Sequence, residues 1–247
     1  MKPFNECMQF SSNYANKNLE DKWNIITDLY DKNMKHRGLD KIPKLIHQIW
    51  IGGEVPQTLV DMAESVKAAN PDYEYKLWLE SDADSFQFET KKIYDAATNP
   101  GQKSDILRYA ILKKYGGIYL DTDFIGVKSF DQLLHLDFFV GVSYDKEPTL
   151  FNGLIGAVPN HPVIIEANVF GEIRDGDGMD VIKTTGPWFL TKKLFKNLDK
   201  AGTIVVLPLT YFYPYPNFDK DKVNGNDYKK YITDETICIH LWDSRWN

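Results

Sequence analysis

Cysteine is scarce in this chain: Cys7 and Cys238 are the only two in 247 residues. Two thiols so far apart build no disulfide framework, and their scarcity suggests a reducing compartment. Long apolar runs are also missing. Nowhere does the chain offer the roughly 18 apolar residues a membrane span requires, and no continuous apolar segment follows Lys2 within Met1–Tyr14 to make a leader. A soluble, cytoplasmic protein is the expectation, with peripheral association at the inner face of a membrane left open. An excess of positive charge is absent as well: 29 Lys and Arg stand against 35 Asp and Glu, for a formal net charge of -6. Without a broad cationic surface, nucleic acid is not an expected partner. Internal repeats and low-complexity linkers are lacking too, which points to one domain, residues 39–247, with a helical appendage over residues 1–38.

The composition is that of an ordinary globular protein, with 43% hydrophobic, 26% charged and 14% aromatic residues, and a chain of this length can bury a sizeable core without staples. In the appendage, Leu19, Trp23, Ile26, Tyr30 and Met34 recur at helical spacing, and Gly38 is placed to end the helix. Its polar face mixes both signs of charge, which favours packing on the main domain over lying on a membrane.

From Leu45 to Ile51 the chain reads as a buried strand closed by Gly52-Gly53, and Pro56 opens a helix that Asn70-Pro71 stops before a second strand, Tyr73 to Leu79. This is a βαβ unit. A helix from Ser104 to Tyr115, stopped by Gly116-Gly117, leads directly into a strand at Ile118–Leu120. Further on, apolar segments at Phe138–Val142 and Leu154–Val158, a helix at Pro187–Leu198 and a strand at Thr203–Leu207 complete an α/β pattern. Tyr211–Pro216 reads as a loop, Asn152-Gly153 and Thr185-Gly186-Pro187 as turns or ligand-side loops, and Thr236–Leu241 as a last strand.

Chemistry concentrates in two blocks, Ser104-Asp105-Ile106-Leu107-Arg108 and Tyr119-Leu120-Asp121-Thr122-Asp123. Asp105 and Arg108, three apart on a helix, share a face and could pair on the surface or grip a polar ligand. Asp121 and Asp123, two apart at the end of an apolar strand, put both carboxylates on one side, where the ends of strands in open α/β sheets bind ligands. Two such groups can hold a hard divalent cation. An isolated Asp-x-Asp is as readily a solvated turn, and it is the Gly-Gly stop and the preceding Asp and Arg that weigh for a site. The segment Asp175–Asp180 has an acidic, Gly-rich look but lacks the Glu and the glycine register of a calcium loop, so it reads as an acidic turn.

The blocks Ile42-Pro43-Lys44-Leu45-Ile46-His47-Gln48-Ile49-Trp50-Ile51-Gly52-Gly53, Ser104-Asp105 to Arg108, and Gly116-Gly117-Ile118-Tyr119-Leu120-Asp121-Thr122-Asp123 together resemble the Asp-x-Asp sugar-binding glycosyltransferases, with their capsular polysaccharide and yeast-type mannosyltransferase relatives. They are also similar to the catalytic domains of the large clostridial glucosylating toxins. The resemblance implies a GT-A type, Rossmann-like α/β fold and a metal-dependent, retaining transfer of a hexose from a nucleoside diphosphate sugar. It implies that Ile49, Trp50 and Ile51 receive the base, with Trp50 stacking on it unless it is a core tryptophan, and that Ser104, Asp105, Arg108 and Tyr119 hold the ribose and donor sugar. By the same resemblance, Asp105, Arg108, Asp121 and Asp123 form the catalytic set, and Asp121, Asp123 and His240 hold Mn²⁺ or Mg²⁺. His240 on its own would more often be structural. Ser244 and Trp246 resemble the family's terminal Ser-x-Trp closing motif, although Arg245 stands where many relatives have Ser before the last Trp. UDP-sugars are the favoured donors, with GDP-sugars the alternative, and a saccharide or lipid-linked saccharide in bacterial surface polysaccharide synthesis is the expected acceptor. A toxin-like effector that glycosylates a protein, or a binding module without turnover, are the rival readings.

Overall fold

The computed structural model describes residues 1–8, 20–35, 37–143, 148–171, 178–200, 202–217 and 227–243. Strand β1 (Leu45–Ile49) and strand β2 (Glu74–Trp78) flank helix α2 (Gln57–Ala69) and pair in parallel, which the crossover through the helix makes possible. Two short helices, α3 (Glu80–Ser85) and α4 (Lys91–Ala96), then lead to α5 (Pro100–Tyr115). Helix α5 starts a turn earlier than its apolar spacing suggests, because the Asn99 side chain accepts hydrogen bonds from the N–H groups of Gly101 and Gln102 and Pro100 occupies the first helical position.

Gly116 and Gly117 turn α5 straight into β3 (Gly117–Leu120) with φ of 63° and 89°. A Cβ at Gly117 would lie 2.6 Å from the Leu45 carbonyl oxygen, and one at Gly116 2.8 Å from that of Ala157, so only glycine allows this junction between neighbouring strands. After β4 (Phe124–Gly126) come β5 (Phe138–Val142), β6 (Leu150–Ala157), helices α6 (Pro162–Ala167), α7 (Gly178–Thr184) and α8 (Pro187–Lys196), strand β7 (Ile204–Leu207), helix α9 (Leu209–Phe212) and strand β8 (Cys238–His240).

The main sheet has the order β2-β1-β3-β6-β5-β7, with β6 antiparallel to both β3 and β5. The central strand β3 therefore carries its Asp121 end to the middle of the sheet edge. Strands β4 and β8 form a separate antiparallel pair in which Phe124 faces His240.

Helix α1 (Glu20–Asn33) contributes Trp23, Ile26 and Tyr30 to the same hydrophobic cluster as the sheet, and the Tyr30 hydroxyl lies 3.0 Å from that of Tyr211. Burying three such side chains contributes on the order of 1.5–3 kcal/mol each, before the entropy of ordering them. Met34 lies just beyond the helix, and Leu19 falls outside the described residues. Among the described residues, no helix is long and apolar enough to cross a membrane.

Several elements depart from the sequence expectation. Helices α3 and α4, six residues each, are too short to display a period. The expected loop at Tyr211–Pro216 begins inside α9, and Asn152-Gly153 is not a turn but part of β6.

Candidate active site

Helix α5 is buried over most of its length, so Asp105 and Arg108 form an interior pair and not a surface one, with exposures of 5% and 4%. The Arg108 guanidinium lies 3.1 Å from Asp105 and 3.2 Å from Asp121, and it donates to the Asn152 carbonyl at 2.6 Å and to the Ser104 hydroxyl at 3.2 Å. It also sits over the Tyr119 ring, 4.4 Å from the centroid. Burial alone would disfavour the cation, but Asp121 and its neighbours outweigh it and raise the Arg108 pKa, so the charge is permanent.

Asp105 is fully engaged: one oxygen accepts from the Asn152 amide at 2.7 Å and the other from the Thr185 hydroxyl at 2.8 Å. Burial pushes its carboxyl up to about 6 against the opposing pull of Arg108. With both oxygens occupied, Asp105 orients Arg108 and has little left to offer a ligand. Replacing Thr185 by valine removes a donor from this buried carboxylate and is expected to destabilise the fold by about 1–3 kcal/mol. Denaturant unfolding of the variant at pH 7 measures it.

Asp121 ends β3. Its Oδ1 accepts from the Tyr119 hydroxyl at 2.6 Å and faces Arg108, while no described group bonds to its Oδ2. A Cβ at Gly153 would come within 2.7 Å of that free oxygen, so the glycine keeps the space beside it open. Asp123 lies 3.0 Å from His240 Nε2 through one oxygen and accepts from the Asp243 backbone N–H at 2.8 Å through the other. Burial raises the Asp121 carboxyl, with Asp123 adding to the effect and Arg108 opposing it. Burial also opposes ionisation of Asp123, but His240 and the backbone N–H win and hold it below the usual carboxylate range. For His240 burial opposes the imidazolium, and the Asp123 carboxylate outweighs it and raises the pKa. One ligand atom from each of Asp121, Asp123 and His240 falls within 4.8 Å of the others. That donor set, two carboxylates and an imidazole whose Nδ1 is buried without a partner, fits a divalent cation of the Mn²⁺ or Mg²⁺ kind.

These groups line a cleft of about 640 Å³ that also takes in Ile49, Trp50, Ile51 and Ser104. All the described members of the sequence-derived set therefore meet in one place. Ser244 and Trp246 lie outside the described residues; within them it is Trp242 that reaches the cleft, edge-on to His240 with centroids 4.2 Å apart. Trp50 is half-buried, with its indole N–H buried and unpartnered, so it faces the cleft instead of filling the core. Asn152-Gly153 and Thr185 were expected only as acceptor-side loops or plain turns, and Tyr213 only as part of a loop; none was expected to support the buried Asp105 and Arg108 pair. Asn152 and Thr185 stand 47 and 80 positions from the aspartate they hold, a separation that leaves no local signal. Tyr213 buries an unpartnered hydroxyl at the cleft wall.

The six-stranded mixed sheet, with an acidic pair just past the end of its central strand beside a buried arginine, belongs to an α/β protein with a GT-A type of fold. The solved PaToxG glycosyltransferase has the same fold, at 21% identity and a TM-score of 0.51 over 73% of this chain and 78% of that one. Residues 56–139 match the family described as glycosyltransferase sugar-binding region containing DXD motif. An uncharacterized glycosyltransferase, L373, of Acanthamoeba polyphaga mimivirus is 36% identical over 63% of this chain and 64% of its own length. Inositol phosphoceramide mannosyltransferase 3 of Schizosaccharomyces pombe is 32% identical over 67% of this chain and 48% of its own. The chain thus spans between about half and two thirds of the length of these two relatives.

Proposed function

We propose that the chain transfers a hexose from a nucleoside diphosphate sugar to an acceptor hydroxyl with a divalent cation bound by Asp121, Asp123 and His240. The observation that carries this reading is the convergence of those three side chains, in one cleft, with the buried and permanently charged Arg108. When bound there, the cation would act as a Lewis acid toward the diphosphate. Arg108, held rigid by Asp105, Ser104 and the Asn152 carbonyl, supplies a fixed positive charge that needs no reorganisation as negative charge develops on the leaving group. Trp50 and the aliphatic Ile49 and Ile51 offer an apolar wall on which a base stacks.

For the anomeric outcome we favour retention by front-face displacement. Asp105 is tied to Asn152 and Thr185, and Asp121 and Asp123 belong to the cation cluster, so none of the three is free to act as a covalent nucleophile. The proton of the acceptor then passes to the departing phosphate oxygen. NMR of the product reads this directly, and an inverted anomeric centre would overturn it. For the acceptor we favour a saccharide or lipid-linked saccharide in bacterial surface polysaccharide synthesis, with support in the sequence resemblance; the name of the Schizosaccharomyces pombe relative points instead to a sphingolipid-type acceptor, inositol phosphoceramide.

The decisive experiment is a panel of UDP- and GDP-sugars with Mn²⁺, read as slow donor hydrolysis without acceptor. Hydrolysis of at least one donor, abolished by a chelator, is the expected result, and metal-independent or absent hydrolysis with every donor overturns the proposal. In the same assay buffer, Trp50→Ala is expected to weaken nucleotide binding by about 1–3 kcal/mol, as loss of a stacking platform does. Calorimetry with the free nucleoside diphosphate measures it, and an unchanged affinity would make Trp50 a packing residue.

A further inference from the structure

The block Leu45–Ile49 contains two adjacent polar residues, His47 and Gln48, which are 4% and 0% exposed and play no part in the chemistry above. Adjacent residues on a strand point to opposite faces, and the two make separate bonds at opposite ends of the neighbouring strand β3. On one face, His47 Nε2 lies 3.1 Å from the Gly116 carbonyl oxygen, where the chain enters β3, while its Nδ1 accepts from the Trp78 indole N–H at 3.3 Å. Burial lowers the His47 pKa to about 4, so the ring is neutral at pH 7, and with Nδ1 accepting, Nε2 carries the proton and donates to the Gly116 carbonyl. On the other face, Gln48 Nε2 donates to the backbone carbonyl of Asp121 at 3.0 Å, where the chain leaves β3. The Tyr75 hydroxyl donates to Gln48 Oε1 at 2.5 Å, which fixes the amide with its N–H₂ end toward Asp121.

The turn that Gln48 grips borders open space. A cavity of about 140 Å³, lined by Gln48, Leu59, Tyr75 and Thr122 among mostly apolar neighbours, lies against it. Leu59 and Thr122 line both this cavity and the main cleft, so the turn has open space on two sides. Where packing atoms are missing, dispersion contacts cannot hold a segment to a fraction of an ångström, and directional hydrogen bonds must do it. The turn's backbone is tied by Asp121 N–H to the Gly153 carbonyl, by the Asp123 carbonyl to Leu241 N–H, and by Gln48. Among the described residues, the Gln48 bond is the one made to this backbone by a side chain from outside the turn.

We propose that Gln48, oriented by Tyr75, is a positioning residue that sets where the carboxylates of Asp121 and Asp123 stand. It acts through the Asp121 backbone and touches no ligand. The consequence for the cation rests on the function proposed above, whereas the grip on the turn does not.

Two readouts on the full chain test it. Gln48→Met keeps the side-chain volume and removes the donor; Tyr75→Phe keeps the ring and removes only the hydroxyl that orients the amide. Hydrogen exchange read by mass spectrometry is expected to speed up in peptides spanning residues 121–124 of Gln48→Met, with those covering β2 and β5 unchanged. Tyr75→Phe should show the same local change in weaker form. Titration with Mn²⁺ alone, followed by calorimetry, is expected to give a dissociation constant about 10–100-fold higher in Gln48→Met, the scale seen when groups that orient metal ligands are removed.

Exchange that is unchanged at 121–124, or raised uniformly across the sheet, overturns the grip. Local loosening with undiminished Mn²⁺ affinity overturns its effect on the carboxylates. If the unaltered chain binds no Mn²⁺, the metal reading falls, and the exchange comparison still decides the role of Gln48. Should Gln48→Met fail to fold, Tyr75→Phe carries the same comparison with the core intact.

Discussion

Asp123→Asn is expected to lower donor hydrolysis and sugar transfer by at least about 10²–10³-fold, the cost of removing one preorganised electrostatic group from a site of this kind. The substitution keeps the shape of the side chain and leaves an oxygen that still accepts the Asp243 N–H, so the fold should persist. What disappears is the negative charge that faces His240 at 3.0 Å and completes the cluster with Asp121. A second effect follows in His240 itself. Its pKa is raised because the Asp123 carboxylate outweighs burial, and without that charge burial prevails and the pKa falls. Turnover of the variant with and without chelator, together with NMR titration of the His240 ring, checks both parts. Undiminished turnover would remove Asp123 from the chemistry.

Arg108→Met has the largest expected effect on stability. The methionine fills a similar volume, but the change leaves the Asp105 and Asp121 carboxylates, 3.1 and 3.2 Å from the guanidinium, without their common counter-charge. Breaking a buried pair from one side costs about 3–5 kcal/mol, which in a chain of this size corresponds to a fall of roughly 6–20 °C in melting temperature. The sign of the pH dependence distinguishes this cause from lost packing. Asp105 already titrates at about 6 in the fold, above its unfolded value, and without Arg108 it rises further. A carboxyl raised by folding stabilises below its unfolded pKa, and that contribution is lost as pH rises through the folded one. The deficit of Arg108→Met should therefore be smaller at pH 5 than at pH 8. Thermal melts at both values decide it, and an equal deficit would assign the loss to packing.

The chemistry-bearing residues were legible in the sequence where they lie close together along the chain. Asp121 and Asp123 could be placed on one side of a strand end from their spacing alone, and Gly116-Gly117 announced the junction that β3 requires. Asp105 and Arg108 were seen to share a helix face, yet nothing local said whether that face met water or the sheet. A surface pair and an interior pair have the same spacing and differ only in what packs on them. Helix α5 proved to be buried on most sides, so the pair became the fixed floor of the cleft.

The sequence by itself determined the βαβ half, the glycine junction and the acidic end of β3, because each depends on residues within one or two elements and on local geometry. Tertiary structure alone decided that β8 returns to pair with β4 and delivers His240 to Asp123, that Asn152 and Thr185 clasp Asp105, and that Gln48 reaches across to the Asp121 backbone. These contacts join residues dozens to more than a hundred positions apart. Their closure is governed by which faces the core buries together, and a linear pattern of residue types does not encode that choice one contact at a time.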